Sequence, residues 1–67
     1  MILSTSFNQV QSSYVRMGYL DLTTGEEYYD YFAPGKTVYT INVNMTVGHD
    51  YLVYVQGTGS GYLFCEQ

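Results

Sequence analysis

The sequence has one cysteine, one histidine and no tryptophan among its 67 residues, and the first two scarcities exclude common ways of stabilising a small domain. Cys65 has no second cysteine with which to form a disulfide within the chain. A single cysteine and a single histidine also fall short of the four ligands of a structural zinc site. Domains of this size usually depend on disulfides, a metal or a partner subunit. The sequence leaves only the partner subunit.

Basic residues are almost as scarce, since only Arg16 and Lys36 oppose six carboxylates, for a formal net charge of −4. Gripping a phosphate backbone requires clustered lysine and arginine, so direct nucleic-acid binding is not expected. Attraction to an anionic membrane surface is disfavoured for the same reason. We therefore expect a neutral or basic protein partner, including proteins whose own role is to hold nucleic acid.

Long apolar runs are missing as well. No stretch approaches the roughly 20 apolar residues of a membrane-spanning helix, and residues 1–4 lack the basic region of a signal peptide. A single free thiol is typical of a reducing compartment. Together these features predict a cytoplasmic protein that does not associate with membranes.

What the chain does contain is alternation of apolar and polar residues, most clearly over residues 37–56. A period of two predicts half-buried β-strands, and the turn residues Gly48-His49-Asp50 separate two such runs. A three-residue turn would place the apolar residues of both runs on one face. We therefore predict one long hairpin with a shared buried face, made of Ile41, Val43, Met45, Val53 and Val55.

Weaker strand patterns cover residues 2–10, 14–22 and 62–65, and Gly18 inside the second indicates a bulge or a close backbone approach. The residues Thr23-Thr24-Gly25 predict a hairpin with Gly25 in the left-handed region. Counting back from that turn places Tyr19 opposite Tyr29, Met17 opposite Tyr31 and Asp21 opposite Glu27. A further corner falls at Pro34-Gly35. The predicted fold is all-β: a small antiparallel sandwich or barrel of five to six strands built from hairpins, in a single domain spanning residues 1–67.

The strongest candidate site is the segment 21–31, which holds four of the six carboxylates and three of the nine tyrosines. The spacing of a calcium loop is absent, and a glycosidase needs a cleft that so small a domain rarely encloses. The segment is either a solvated hairpin end or an acidic, tyrosine-bearing surface for a basic protein. The predicted partner-binding residues are Asp21, Glu26, Glu27, Tyr28, Tyr29, Asp30 and Tyr31.

Other motifs with possible chemistry have simpler explanations. The glycine-rich residues 57–61 precede a predicted strand rather than a helix, so they predict a flexible turn and not a phosphate loop. His49 and Asp50 are expected to be exposed turn residues, and Cys65 a small buried hydrophobe. We predict no catalytic residues, no metal site and no cofactor, and hence a protein that is not an enzyme.

The function that these features favour is that of a small acidic inhibitor that occupies a basic site, including a nucleic-acid-binding one, on another protein. In size and charge the chain resembles phage-encoded inhibitors of bacterial defence systems, the anti-CRISPR proteins among them, and this resemblance implies a nucleic-acid mimic. One alternative is a self-assembling structural subunit that pairs through unprotected edge strands. Another is a carbohydrate-binding module that stacks sugars on tyrosine. The small core and spare aromatics also predict a homodimer, formed through a tyrosine-bearing face or an edge strand.

Overall fold

A computed structural model gives the structure of residues 1–66, in which all the regular structure is β-strand. The prediction of an all-β antiparallel fold is confirmed. Because no helix occurs in residues 1–66, none is long and apolar enough to cross a membrane. The six strands are β1 (Ile2–Phe7), β2 (Val15–Asp21), β3 (Glu27–Phe32), β4 (Val38–Asn42), β5 (Tyr51–Gln56) and β6 (Gly61–Glu66).

The strands form two three-stranded antiparallel sheets that make a small sandwich. The first, called the β1 sheet here, has the order β4-β1-β6, and the second, the β2 sheet, has the order β3-β2-β5. Strands β1 and β2 are therefore central, and the other four are edges. The rings of Phe32 on β3 and Tyr39 on β4 lie 5.7 Å apart between centroids, which brings these two edge strands together.

The core is built from alternate residues of the two central strands and of β4. On β1, Leu3 and Thr5 are buried while Ser4 and Ser6 face outward, as the period of two predicts. On β2, the inward positions include Met17, which like Leu3 exposes none of its surface. The buried apolar residues are Leu3, Phe7, Val15, Met17, Tyr39, Ile41 and Val43.

The predicted long hairpin is wrong, because its two arms belong to different sheets. Strand β4 pairs with β1, and strand β5 pairs with β2. Residues 43–50 leave the first sheet after the Val43 amide donates to the Met1 carbonyl, and they cross to the second. A strand of alternating apolar and polar residues fits any position in a sheet that has one face on the core. The pattern therefore identified the buried face without identifying the neighbouring strand.

The predicted core residues of that hairpin are therefore only partly correct. Ile41 and Val43 are buried, and Met45, Val53 and Val55 are partly buried and pack against the core. Val47 continues the same alternation in the sequence but is fully exposed, because the chain has left the sheet by that point.

The β2–β3 hairpin forms as predicted, but its register is shifted by one residue. Tyr19 lies opposite Tyr28 rather than Tyr29, and Leu20 rather than Asp21 lies opposite Glu27. The loop holds four residues, not three, since the Asp21 amide donates to the Glu26 carbonyl across it. Within the loop Gly25 has the predicted positive φ, at 84°. A shift of one residue moves every side chain of β3 to the opposite face.

Gly18 confirms the expected close approach of two backbones. A Cβ atom built at this position would lie 2.0 Å from the Tyr28 carbonyl oxygen and 2.5 Å from the Tyr29 Cα. Strand β3 can approach β2 this closely only because Gly18 has no side chain. No bulge interrupts the pairing of the two strands from Val15 to Leu20.

A buried glutamine joins three loops at one end of the sandwich, and the sequence analysis did not predict it. The Gln11 backbone accepts from the Gly35 amide and donates to the Lys36 carbonyl. Its side-chain oxygen accepts from both the amide and the hydroxyl of Thr58. These bonds satisfy a polar side chain whose burial without partners would cost about 1–3 kcal/mol. They also hold the turn of residues 57–61, which leads into β6 as expected.

Candidate protein-binding surface on strand β3

Strand β3 carries most of the predicted site and is an exposed edge of the β2 sheet. Each residue from Glu27 to Tyr31 is exposed, and only Phe32 at the strand's end is half-buried. Side chains alternate along the strand. Glu27, Tyr29 and Tyr31 therefore share the outer face of the sheet, while Tyr28 and Asp30 lie on the side of Tyr19 and Met17. Glu26 is exposed in the loop before the strand.

Asp21 does not belong to this surface, because only 5% of it is exposed and its carboxylate is fully engaged. Its Oδ1 accepts from the amides of Thr23 and Thr24, at 2.8 and 3.1 Å. Its Oδ2 lies 2.8 Å from Nδ1 of His49. The seven predicted residues thus do not converge. Asp21 organises the loop, and the other six are available at the surface.

The predicted exposure of His49 is also wrong, since the ring is half-buried against Asp21. Burial tends to raise the pKa of the Asp21 carboxyl, but hydrogen bonds from His49, Thr24 and Thr23 outweigh burial and lower the pKa overall. The Asp21–His49 pair joins the hairpin loop to the segment that crosses between the sheets. Asp21 and His49 are 28 positions apart, so the sequence gives no signal for their pairing. An aspartate whose side chain accepts from a backbone amide two residues later is, however, typical of turns.

Replacing Asp21 with Asn should reduce the loss of stability in acid. A carboxyl whose pKa is lower in the folded state stabilises the fold above its unfolded pKa of about 3.9, and this contribution is lost as the pH falls through the folded pKa. The asparagine amide oxygen can still accept from the loop amides but has no charge to lose. Urea unfolding of both proteins between pH 6 and 2 measures the slopes, and the wild type should fall more steeply below about pH 4.

Asp50→Asn is the control, since Asp50 is exposed and its carboxylate makes no hydrogen bond to the described residues. This variant should keep the wild-type pH dependence. Identical slopes for Asp21→Asn and the wild type would show that the Asp21 pair does not contribute to acid sensitivity.

On the outer face of the β2 sheet, Arg16 lies among tyrosines. Its guanidinium carbon is 4.7 Å from the ring centroid of Tyr29 and 5.4 Å from that of Tyr54, within the range of cation–π attraction. Hydrogen bonding with Tyr31 is the main cause that raises the pKa of Arg16, against the opposing effect of desolvation. The rings of Tyr29 and Tyr31 meet edge to face at 5.6 Å. Tyr29 and Tyr31 are thus held in place by neighbouring side chains of the same face.

Two carboxylates of β3 are oriented by tyrosine hydroxyls. The Tyr54 hydroxyl donates to Oε2 of Glu27 at 3.0 Å, and the Tyr28 hydroxyl donates to Oδ2 of Asp30 at 3.1 Å. Burial and then the bond to Glu27 raise the pKa of Tyr54, while the bond to Asp30 is the main cause that raises the pKa of Tyr28. Both phenols therefore stay protonated donors near neutral pH.

These carboxylates have no close cationic partner. The only ion pair among residues 1–66 at 4.0 Å or less is that of His49 with Asp21. Arg16 shares the outer face with Glu27 and interacts with its charge only over a longer distance. Glu26, Glu27 and Asp30 are thus exposed acidic groups without an ion pair among the described residues. Sequence reasoning identified these three residues but not Arg16 or Tyr54, because the contact of Tyr54 with β3 depends on the pairing of β5 with β2.

The remaining candidates give no second site of comparable definition. Cys65 is exposed rather than buried, because β6 is an edge strand and Cys65 lies near its end. A shallow cleft of about 480 Å³ lies beside His49, with Met1, Met45 and Tyr51 in its wall and no serine or cysteine. Within residues 1–66 no three His, Cys, Asp or Glu side chains are grouped to hold a metal ion.

Comparison of the chain with protein-family models, with curated proteins and with solved structures gave no match in any of the three.

Proposed function

We propose that this chain is a non-enzymatic binding protein that docks on a basic surface of another protein through strand β3. The observation that carries the proposal is the exposure of residues 27–31 together with carboxylates that are hydrogen-bonded but not ion-paired. We call this surface the acidic tyrosine patch, and it consists of Glu26, Glu27, Tyr28, Tyr29, Asp30 and Tyr31. Asp21 is left out because it is buried.

The two residue types of the patch have different roles in such binding. Carboxylates at an exposed surface attract a basic partner over distance and mainly raise the association rate. Tyrosines supply large contact area at a small cost in conformational entropy. Tyr28 already holds Asp30 on the same strand, which reduces the side-chain ordering that binding would otherwise require.

The partner that fits this chemistry is a protein with clustered lysine and arginine. Proteins that hold nucleic acid present such clusters to the phosphate backbone. An acidic domain that occupied the cluster would block it, and so the proposed activity is inhibition by nucleic-acid mimicry. The similarity in size and charge to phage inhibitors of bacterial defence systems suggests that the partner is such a system in a host cytoplasm. Neither catalysis nor a cofactor is needed for this activity.

Removing charge from β3 should weaken binding more than removing the same charge elsewhere. The immobilised chain would first be used to capture its partner from a cell lysate. The double variant Glu27→Gln/Asp30→Asn should then associate with that partner about tenfold more slowly at low salt, with a smaller effect on dissociation. Surface plasmon resonance across a salt series measures both rates.

The matched control is Asp50→Asn/Glu66→Gln, which changes the net charge by the same two units in the other exposed acidic positions. This control should stay close to wild type, since Asp50 precedes β5 and Glu66 ends β6. Equal decreases in association rate for both double variants would mean that only the net charge matters, and would contradict a role for β3. Capture of only neutral or acidic proteins, with binding insensitive to salt, would overturn the proposed function.

We further propose a homodimer, for which the outer face of the β1 sheet provides a specific surface. Tyr62 and Phe64 on β6 are exposed there with their ring centroids 6.3 Å apart, and Val38 and Ile2 on the same face are also exposed. Apolar groups concentrated on one sheet face of a small domain are typical of contact surfaces. This dimer would leave β3 free in both copies.

Light scattering at micromolar concentration should therefore give the mass of two chains. Phe64→Ser should reduce the mass to that of one chain, since it removes an exposed ring without touching the core. Leu52→Ser, an exposed apolar residue of the β2 sheet, should remain dimeric. A monomeric wild type with a cooperative melt would end the dimer proposal.

A further inference from the structure

The backbone of β3 has an unused edge whose hydrogen-bonding groups can be identified residue by residue. In antiparallel pairs, alternate residues direct both backbone groups to the neighbouring strand, and those between them direct both groups away. The Asp21 amide donates to the Glu26 carbonyl at 2.7 Å, so Glu26 and every second residue after it direct their backbone groups toward β2. Tyr28 and Asp30 therefore bond to β2. Glu27, Tyr29 and Tyr31 direct their amides and carbonyls away from the sheet.

This edge lacks lysine, proline, a bulge and a covering strand, which protect many natural edge strands. Residues 27–32 include no lysine and no proline, and the pairing with β2 is regular to its end. Among the described strands β3 is hydrogen-bonded only to β2. The charges of Glu27 and Asp30 oppose pairing with another acidic strand, but not with a basic one. Three consecutive outward positions are thus open to another chain.

Charge distinguishes β3 from the other three edge strands. It contains two carboxylates, Glu27 and Asp30, with Glu26 immediately before it. Strands β4 and β5 contain none, and β6 contains only Glu66. The free backbone edge of β3 could bind the backbone of an added strand, and the carboxylates favour a strand with basic side chains.

We propose that β3 binds an extended basic segment of the partner as a fourth strand of the β2 sheet. This inference rests on the proposed function and specifies how the patch engages its partner. Main-chain bonds to Glu27, Tyr29 and Tyr31 would supply affinity, as in other cases of strand addition. Cross-strand side-chain pairs, with Cβ atoms about 4.5–5.5 Å apart, would supply specificity.

The positions of the carboxylates specify the sequence of that segment. Glu27 and Asp30 are three residues apart and therefore lie on opposite faces of the sheet. A bound strand would present two lysines that are likewise separated by two residues. The Glu27 carboxylate, which bonds Tyr54 across β2, would turn toward the free edge to meet its lysine. The residues between these lysines lie opposite Tyr28 and Tyr29, where β-branched side chains pair well with aromatic rings. The ligand class is thus an extended peptide of the pattern Lys-x-x-Lys with β-branched residues at x.

A second copy of this chain fits the same edge less well. Two paired β3 strands would bring together six carboxylates, counting Glu26 of each copy, without adding a basic residue to either strand. Like charges on neighbouring strands are destabilising. Self-pairing through β3 would therefore contradict the proposal.

Amide hydrogen exchange with the full chain provides a direct test. The probe is the capped peptide Thr-Val-Lys-Val-Val-Lys-Thr, added to the ¹⁵N-labelled chain at low salt. The amides of Glu27, Tyr29 and Tyr31 should exchange at least about tenfold more slowly at saturation. The amides of Tyr28 and Asp30, which already bond to β2, should change much less. A peptide of the same composition with adjacent lysines, and one with N-methylated valines, should bind more weakly.

Three other results would contradict strand addition, and each can be told from the others. Binding of the probe without protection of the three outward amides would mean docking by side chains alone, and the proposed function would stand. Failure of the probe to bind, while the captured basic partner binds β3 in a charge-dependent manner, would reject strand addition with that function intact. Protection that rises with protein concentration and without peptide would show that a second copy occupies the edge.

Tyr31→Pro and Tyr31→Val separate the backbone from the side chain. Proline removes the outward amide at position 31 and is tolerated on edge strands where the amide faces solvent, whereas valine keeps the amide and removes the same ring. The proline variant should bind the probe about fivefold more weakly than the valine variant, as expected for one lost hydrogen bond. Exchange of the Tyr28 and Asp30 amides reports whether β3 is still paired. Equal affinities with β3 intact would reject the backbone contact.

Discussion

Gly18→Ala is expected to destabilise the domain by about 3 kcal/mol or more, at the upper end of the range for overpacked sites. The added Cβ would lie 2.0 Å from the Tyr28 carbonyl oxygen and 2.5 Å from the Tyr29 Cα, distances that no unstrained contact allows. Both obstacles are backbone atoms, so no rotamer change relieves them. Strand β3 would have to move away from β2 along its length. The effect should therefore appear both in global stability and in the order of β3.

Urea unfolding measures the first effect, and amide exchange of Tyr28 and Asp30 measures the second. Gly57→Ala is the matched control, since its Cβ would meet only the ends of side chains, the nearest being Cζ of Phe7 at 3.0 Å. The control should lose less than Gly18→Ala, because side chains can give by a few tenths of an ångström where the backbone of a paired strand cannot. Equal stability of both variants would mean that β2 and β3 are not as close as the structure shows.

Leu3→Ala is expected to cost about 2–5 kcal/mol, the range for removing a fully buried leucine. Leu3 has no exposed surface and lies at the centre of the β1 sheet, between Ile41 on β4 and Cys65 on β6. A domain of this length has a free energy of unfolding of only about 3–10 kcal/mol. The substitution therefore removes a large part of the total stability and should lower the melting temperature by roughly 10 °C or more.

Leu52→Ala is the same chemical change at a position that is 53% exposed, and it should cost less than about 1 kcal/mol. Thermal melts and urea titrations of both variants compare them directly. Similar losses at the two positions would indicate that the core is elsewhere, whereas unfolding of the Leu3 variant alone would support the sandwich described here.

The buried faces of the strands could be read from the sequence, and the strand partners could not. Alternation in residues 38–43 indicated that Ile41 and Val43 face the core, and they do, together with Tyr39 at the same spacing. The same alternation is satisfied by pairing with β5 or with β1. The choice depends on contacts between strands that are distant in sequence, which a local pattern does not report. The nearest turn chemistry, at residues 48–50, favoured the wrong partner.

The candidate site was predictable in composition but not in orientation. The carboxylates and tyrosines of residues 26–31 were identified correctly as surface groups. The side of the sheet on which each lies depended on the loop length, which is set by the bonds of Asp21 to the Thr23 and Thr24 amides. One extra residue in the loop exchanged the two faces of β3. The bond between Tyr54 and Glu27 depended in turn on the unpredicted pairing of β5.

The pairing of β1 with both β4 and β6 also constrains how the protein can fold. Only the β2–β3 hairpin joins strands that are close in sequence; β1 and β6 pair across nearly the whole described chain. High contact order of this kind is associated with folding times of milliseconds to seconds. During synthesis on a ribosome, β1 is made first but cannot complete its sheet until β6 has emerged. The β2–β3 hairpin, which carries the acidic tyrosine patch, is the part of the molecule able to form earliest.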